Sequence, residues 1–362
     1  MSEGIRWVGL DVHAHQTAGA VFDSATGEVR SRRIMGRPHE VMDWLRELEV
    51  PVRAVYEAGP TGYGLARRAR AAGIEMAVCA PGMIARGPGD RVKTDKRDAL
   101  KLARLHAAGQ LVLVHVPRVD HEQLRDLSRC REDARGDLMR ARHRIGKLLL
   151  RRELYFPGRG RNWTREHRSW LASLRFDDRA TGIVFADYLH AHDVLLARRD
   201  ALDRAIAEIA TDSPWAPITA RLRCLRGIDT LSAFAICTEV CDFERFSTPA
   251  AFSSYLGLVP SEHSSGDKRR QGAITKAGST HARRLLVEAA WHYRRPPRLG
   301  EALQRRQAGQ EPWAVDCAWR AQRRLHGRWQ RLRTERRKHH GVAAVAIARE
   351  LAHYCWELAI TH

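Results

Sequence analysis

The chain has 362 residues, more than one ordinary core needs, so two or three domains are expected. Its 44% apolar content is enough to build cores and excludes wholesale disorder. Lys and Arg number 62 against 42 Asp and Glu, a net charge of +20, so a polyanion partner bound in a salt-sensitive way is expected. Arginine carries most of the excess, and its fork matches two phosphate oxygens.

The first segment, RWVGLDVHAHQTAGAVFDSATGEVRSRRI, reads as a β-meander. Val8, Leu10 and Val12 alternate with Gly9, Asp11 and His13, and DSATGE is a turn between strands. VPVRAVYEAGPTGYGLARRARAAGIEMAVCAP then reads strand, glycine-rich loop, helix, strand, which is a βαβ unit. GPTGYG lacks both the Gly-Lys-Ser/Thr ending of a P-loop and the order G-x-G-x-x-G, so a nucleotide fingerprint is set aside. TDKRDALKLARLHAAGQL is a helix with an acidic start and a basic body. Residues 1–115 are thus expected to form an α/β domain.

From 116 to 212 the periodicity becomes helical over long stretches, in HEQLRDLSRCREDARGDLMRARHRIGKLLLRREL and again in DYLHAHDVLLARRDALDRAIAEIA. The break YFPGRGRNW between them suggests a helical hairpin or coiled-coil arm, and an ordinary bundle pair fits the same pattern. Residues 213–362 read as mainly helical. LRCLRGIDTLSAFAICTEVCDFERF resembles a helix-hairpin-helix turning at Gly227, where backbone amides can approach a phosphate. A very basic tail, WRAQRRLHGRWQRLRTERRKHHG, precedes a closing amphipathic helix.

The seven cysteines (79, 130, 224, 237, 241, 317, 355) are scattered without a C-x-x-C pair, which fits packing roles in a reducing cytoplasm. No signal-peptide pattern opens the chain, and no apolar run reaches the ~18 residues of a membrane span.

Four acids attract attention. Asp11 sits inside a strand, where Asp is disfavoured unless its carboxylate has a partner. Glu57 falls where a strand meets its loop, a usual place for site residues in α/β folds. Asp95 and Asp98 are three apart and share a helix face. Together they suit one or two Mg²⁺ ions arranged for phosphoryl transfer. Each has an ordinary reading too. Asp95 can be an N-cap with Asp98 in the first turn, Asp11 can pair with an arginine, and Glu57 can cap its loop. Their order in the chain favours the metal reading.

GLDVH, YEAGPTGYGL, KTDKRDALKLARL and YLGLVPSEHSSGDKRRQGAITKAG resemble the DEDD transposases of insertion sequences, of the IS110 type. The resemblance spans nearly the whole chain. It implies a RuvC-like (ribonuclease-H-type) N-terminal domain, a helical arm and a mainly α C-terminal transposase domain. It also implies a DNA transposase/recombinase that holds Mg²⁺ on Asp11, Glu57, Asp95 and Asp98. The family's catalytic serine then falls on Ser264, with Ser265 the runner-up, and attack on DNA by Ser264 would leave a phosphoserine link. The family's Gly-Gly after these serines is Gly266-Asp267 here. The implied partners are donor and target DNA, a structured non-coding bridge RNA and further copies of the chain, as dimers or tetramers in the bacterial cytoplasm near the nucleoid.

Around the serines, Lys268, Arg269 and Arg270 are expected to steady phosphate charge, and Lys276 to contact phosphate. A lone serine is more often a turn or cap residue, and Ser279, ahead of HARRLLVEAAW, reads as an N-cap. Two other readings stand beside the recombinase: a metal-only nuclease of the Holliday-junction-resolvase kind, which needs no serine, and a non-enzymatic nucleic-acid-binding protein with structural acids.

Overall fold

The structure, a computed structural model, describes residues 5–48, 51–84, 94–262 and 271–361. The chain divides into two compact units, Met1–Arg118 and Val119–His362.

The first unit is built on a five-stranded sheet. Strands β1 (Arg6–Val12), β2 (Gln16–Asp23) and β3 (Val29–Met35) form the antiparallel meander, and helix α1 (Pro38–Arg46) follows. The unit β4 (Val52–Glu57), α2 (Gly64–Ala71), β5 (Glu75–Cys79) then adds two strands parallel to β1, giving the order β3-β2-β1-β4-β5. Helix α3 (Asp95–Ala107) completes the unit.

The two faces of the sheet are distinct because alternate residues point to opposite sides. Val8, Leu10, Ala54 and Tyr56 pack in one buried cluster with Val41, Trp44 and Leu45 of α1 and Leu65 and Ala66 of α2. The opposite face belongs to α3, where Val55 and Leu102 pack together and Trp7 meets His106 edge-on. The helix lies so close that a Cβ on Gly9 would stand 1.9 Å from the Ala99 carbonyl oxygen. Only glycine permits that approach.

In the second unit, α4 (Val119–Arg151) and α6 (Arg179–Asp212) have 33 and 34 residues, each about 50 Å long at 1.5 Å per residue. Short α5 (Arg165–Ser173) lies between them in sequence. Arg131 pairs with Asp203 at 2.6 Å, Arg198 with Asp137 at 3.5 Å, and Arg152 with Thr181 at 2.6 Å. Partners descend on one helix as they climb on the other, so the hairpin is antiparallel.

The remaining helices are α7 (Ala216–Leu222), α8 (Thr230–Val240), α9 (Pro249–Tyr255), α10 (Thr280–Ala290), α11 (Glu301–Gln307), α12 (Pro312–Thr334) and α13 (His340–Ile360). A two-stranded ribbon, β6 (Pro260–Glu262) with β7 (Gln271–Ile274), interrupts them. Their shared core runs from Trp215 and Leu222 through Phe252 and Leu286 to Leu351 and Leu358. The fold is therefore the expected one: a ribonuclease-H-type α/β sheet domain followed by a largely α-helical region. The turn between α7 and α8 passes through Gly227 at φ +88°, and a Cβ there would stand 2.8 Å from the Ala289 carbonyl oxygen. Five cysteines of this region are buried and free, and burial pushes the Cys237 thiol up to about 12, so these side chains pack rather than react. Among the described residues no helix is long and apolar enough to cross a membrane.

A polar network ties α4, α8 and α10 together. The Glu239 side chain is 2% exposed and accepts from Arg129 at 2.9 and 3.0 Å and from Ser279 Oγ at 3.0 Å, with His281 Nδ1 3.6 Å away. Burial alone would raise its pKa, but His281, Arg129 and Ser279 outweigh burial and bring it down to about 2. A depressed carboxylate contributes stability that is present above its ordinary value, 4.5, and is lost as pH falls toward 2. Glu239→Ala is expected to cost about 1–3 kcal/mol at neutral pH, since it removes the charge-assisted hydrogen bonds of a buried carboxylate. The test is urea unfolding across pH, and the gap between the two proteins should narrow as pH falls from 4.5 toward about 2.

Candidate metal centre

Asp11 lies near the end of β1 and Glu57 ends β4. These strands run parallel with Leu10 opposite Tyr56, so Asp11 and Glu57 each stand one residue beyond that pair. Leu10 and Tyr56 face the α1/α2 side, which puts positions 11 and 57 on the α3 side of the sheet. Helix α3 begins there. Thr94 is its N-cap, accepting from the Arg97 amide, and Asp95 and Asp98 occupy the first turn. Asp95 is thus the first helical residue and not the cap. Gly9, two residues before Asp11 on the same face, sets how closely this acidic turn meets the strand.

Side-chain ligand atoms of Asp11, His13 and Asp95 all lie within 4.8 Å of one another. His13 Nε2 is 3.3 Å from Asp11 Oδ2, and the Asp11 side chain is 27% exposed. Two carboxylate oxygens and an imidazole nitrogen at this spacing fit one divalent ion, with open sides for substrate oxygens or water. Glu57 and Asp98 stand on the same side of the sheet but are not part of the trio. His13 escaped the sequence reading, although its spacing of two from Asp11 was the available signal.

The serine-bearing segment belongs to the second unit. Strands β6 and β7 pair antiparallel, with Pro260 opposite Ile274 and Glu262 opposite Gln271, and residues 263–270 connect them. Ser264, Ser265, Asp267, Lys268, Arg269 and Arg270 lie outside the described residues.

The base of this ribbon is firmly held. The Thr275 amide donates to Val259, and the Lys276 amide donates to Gly257. Buried Arg283 donates to the carbonyls of Leu256, at 3.0 Å, and Ala277, at 2.6 Å. Lys276 is exposed and held at φ +57°. Ser279 caps α10 by accepting from the Ala282 amide at 3.1 Å, as its sequence context suggests. It also donates to Glu239 of α8, which joins the ribbon's exit to the network.

Comparison with known proteins gives a consistent picture. Residues 8–156 match a family model described as a DEDD transposase of the IS110 group, and residues 219–304 match a model for transposases of the IS116/IS110/IS902 family. A putative transposase of Sinorhizobium fredii is 39% identical over 358 residues, covering 98% of this chain and 88% of its own. The transposase for insertion sequence element IS1533 of Leptospira borgpetersenii is 32% identical, covering 92% of this chain and 98% of its own. A probable family 20 transposase of Pseudomonas aeruginosa is 30% identical over 69% of this chain and 73% of its own.

Proposed function

Because the chain belongs to the IS110 family of DEDD transposases, enzymes that cut and rejoin DNA, we propose that it recombines DNA through a serine nucleophile beside a divalent-metal site, guided by a structured non-coding RNA. The observation that carries the metal half of this reading is the grouping of Asp11, His13 and Asp95 where β1 meets the first turn of α3. Glu57 and Asp98, on the same side of the sheet, complete the acidic set. Mg²⁺ suits the carboxylates, and a bound ion would supply Lewis-acid stabilisation of phosphate charge.

In the serine half, the Ser264 oxygen forms a bond to phosphorus as the bond to the 3′ oxygen breaks. The serine's proton ends on the departing 3′-hydroxyl, and the 5′ phosphate remains on the protein. Attack by a 3′-hydroxyl from another strand reverses these steps and restores the serine. One phosphoester is exchanged for another throughout, so no ATP is required. Lys268, Arg269, Arg270 and Lys276 steady phosphate charge. Ser265 is the alternative nucleophile. Asp98 and Ser264 are 166 residues apart and belong to different units. The family resemblance, not this separation, implies a homo-oligomer, a dimer or tetramer, whose composite site unites acids and serine. Base pairing between the RNA and donor and target DNA sets the sequence choice, and the domain plan is 1–115, 116–212 and 213–362.

The test is covalent trapping. Protein, Mg²⁺, the RNA and end-labelled junction DNA are mixed and run on a denaturing gel. A protein–DNA adduct that requires all four components is expected. Cleavage with no adduct points instead to a metal-only nuclease, and neither product points to a binding protein.

His13 adds a prediction about the ion. Imidazole binds Mn²⁺ more readily than Mg²⁺, so wild type should reach half-maximal cleavage at lower Mn²⁺ than Mg²⁺. His13→Ala should raise the Mn²⁺ requirement at least about tenfold and reduce that preference. Metal titrations of cleavage rate check this, and an unchanged Mn²⁺ curve removes His13 from the site.

A further inference from the structure

The far end of the α4–α6 hairpin carries a feature that the acids and the serine leave unused. Between the end of α4, the 152–164 connection and α5 lies a cleft of about 390 Å³. Its walls include Arg142, Leu150, Phe156, Asn162, Trp163 and Trp170. A second recess, also lined by Arg142, Asn162 and Trp163, adjoins it. The buried core beneath is already complete, with Ile145, Leu148, Leu149, Leu171 and Phe185 packed together. Phe156, Trp163 and Trp170 are only partly buried above it, and Tyr155 stands 67% exposed.

Trp163 is held in an uncommon way. Its backbone is left-handed at φ +69°, a conformation that a bulky residue adopts at a cost. His192 stacks on its ring at 4.3 Å, and the Arg142 guanidinium lies 4.9 Å from the ring centroid. Burial first, and the nearby Arg199 and Arg168 after it, lower the pKa of Arg142.

The surroundings are the most lopsided stretch of charge in the hairpin. Residues 140–175 contain eleven Lys and Arg against two Asp and Glu, so a tenth of the chain carries nine of its +20. Arg144, Lys147, Arg151, Arg159, Arg161 and Arg165 are exposed, and none forms an ion pair with another described residue.

We propose that this cleft takes an unpaired nucleobase of a single-stranded segment, with the flanking phosphates on the surrounding basic rim. Aromatic walls offer stacking faces, the Asn162 amide offers a donor and an acceptor for a base edge, and unpaired arginines attract the backbone. Duplex DNA buries its bases in the stack and presents no such group. An apolar protein partner would leave the surplus charge unanswered. The site lies outside the acid and serine segments, so it stands or falls separately from the recombination chemistry.

Gly146 gives a clean way to close the cleft. It lines both recesses, and a Cβ built there meets nothing within 4 Å. Gly146→Phe therefore plugs the space without removing a packed side chain, and leaving glycine favours the helix. The experiment uses the full chain, fluorescence anisotropy and salt high enough to weaken purely ionic binding. The probes are short oligothymidylate and oligouridylate strands, each beside a strand of equal length lacking bases.

Wild type should bind base-bearing strands about five- to a hundredfold tighter than abasic ones. Gly146→Phe should lose that margin while keeping its thermal unfolding and its affinity for abasic strands. The two sugars show whether RNA or DNA supplies the base. As an independent measurement, 5-iodouracil in the wild-type complex should cross-link to Phe156, Trp163 or Trp170. Cross-links confined to other segments overturn the proposal. So does a margin that survives the plug, and if light scattering then shows a changed oligomer, the cleft is a protein interface.

Discussion

Asp11→Asn is expected to lower DNA cleavage by about 10³-fold, the scale of losing one group that stabilises transition-state charge. The change keeps size and polarity but removes the charge that a cation needs. Asp11 lies beside His13 and Asp95 at the C-terminal end of the central strand and is 27% exposed, so folding should survive. Single-turnover cleavage together with thermal unfolding separates the two effects. An active, fully folded Asp11→Asn protein would end the metal reading and favour a structural acid. Asp95→Asn should behave similarly. Loss of activity in Glu57→Gln and Asp98→Asn, which flank the trio, would show that the working centre takes in more than the three grouped side chains.

The second large effect concerns the nucleophile. Ser264→Ala should eliminate the covalent protein–DNA adduct and all rejoined product, because no other group on this path can hold the 5′ phosphate. Ser265→Ala should retain the adduct. The reverse outcome moves the nucleophile by one residue and leaves the chemistry in place. If both variants cut DNA at the wild-type rate and neither forms an adduct, water is the attacking group. Asp11→Asn and Ser264→Ala mixed together add a further test. Restored activity in the mixture would mean that acids and serine come from different copies of the chain.

Local pattern made much of the first unit legible. The meander announces itself by alternating residues and by DSATGE, and the βαβ unit by its glycine-rich loop between two apolar runs. Asp11, Glu57, Asp95 and Asp98 could be singled out because each sits where its residue type is unexpected or where strand and helix ends gather. His13 left only its spacing of two from Asp11 as a signal, because it lies just past the end of β1 and packing is what brings it to Asp95. The β6–β7 ribbon was hidden for another reason. Its strands have three and four residues and little β-branched or aromatic content, so no periodicity develops. The Glu239 network joins residues 110 and 40 positions apart, and no local pattern reports such a pairing.

The close approach at Gly9 also has a genetic consequence. Every amino acid reachable from a glycine codon by one base change carries a Cβ, and at this position any Cβ collides with the backbone of α3. A mobile element that accumulates random changes therefore has no silent amino-acid replacement available there. Each one pushes aside the helix that delivers Asp95. Gly146, with open space around it, should drift freely in its own codon unless the base-binding cleft is under selection. Comparing the two positions across naturally decayed and active copies would distinguish a glycine kept for the fold from one kept for a ligand.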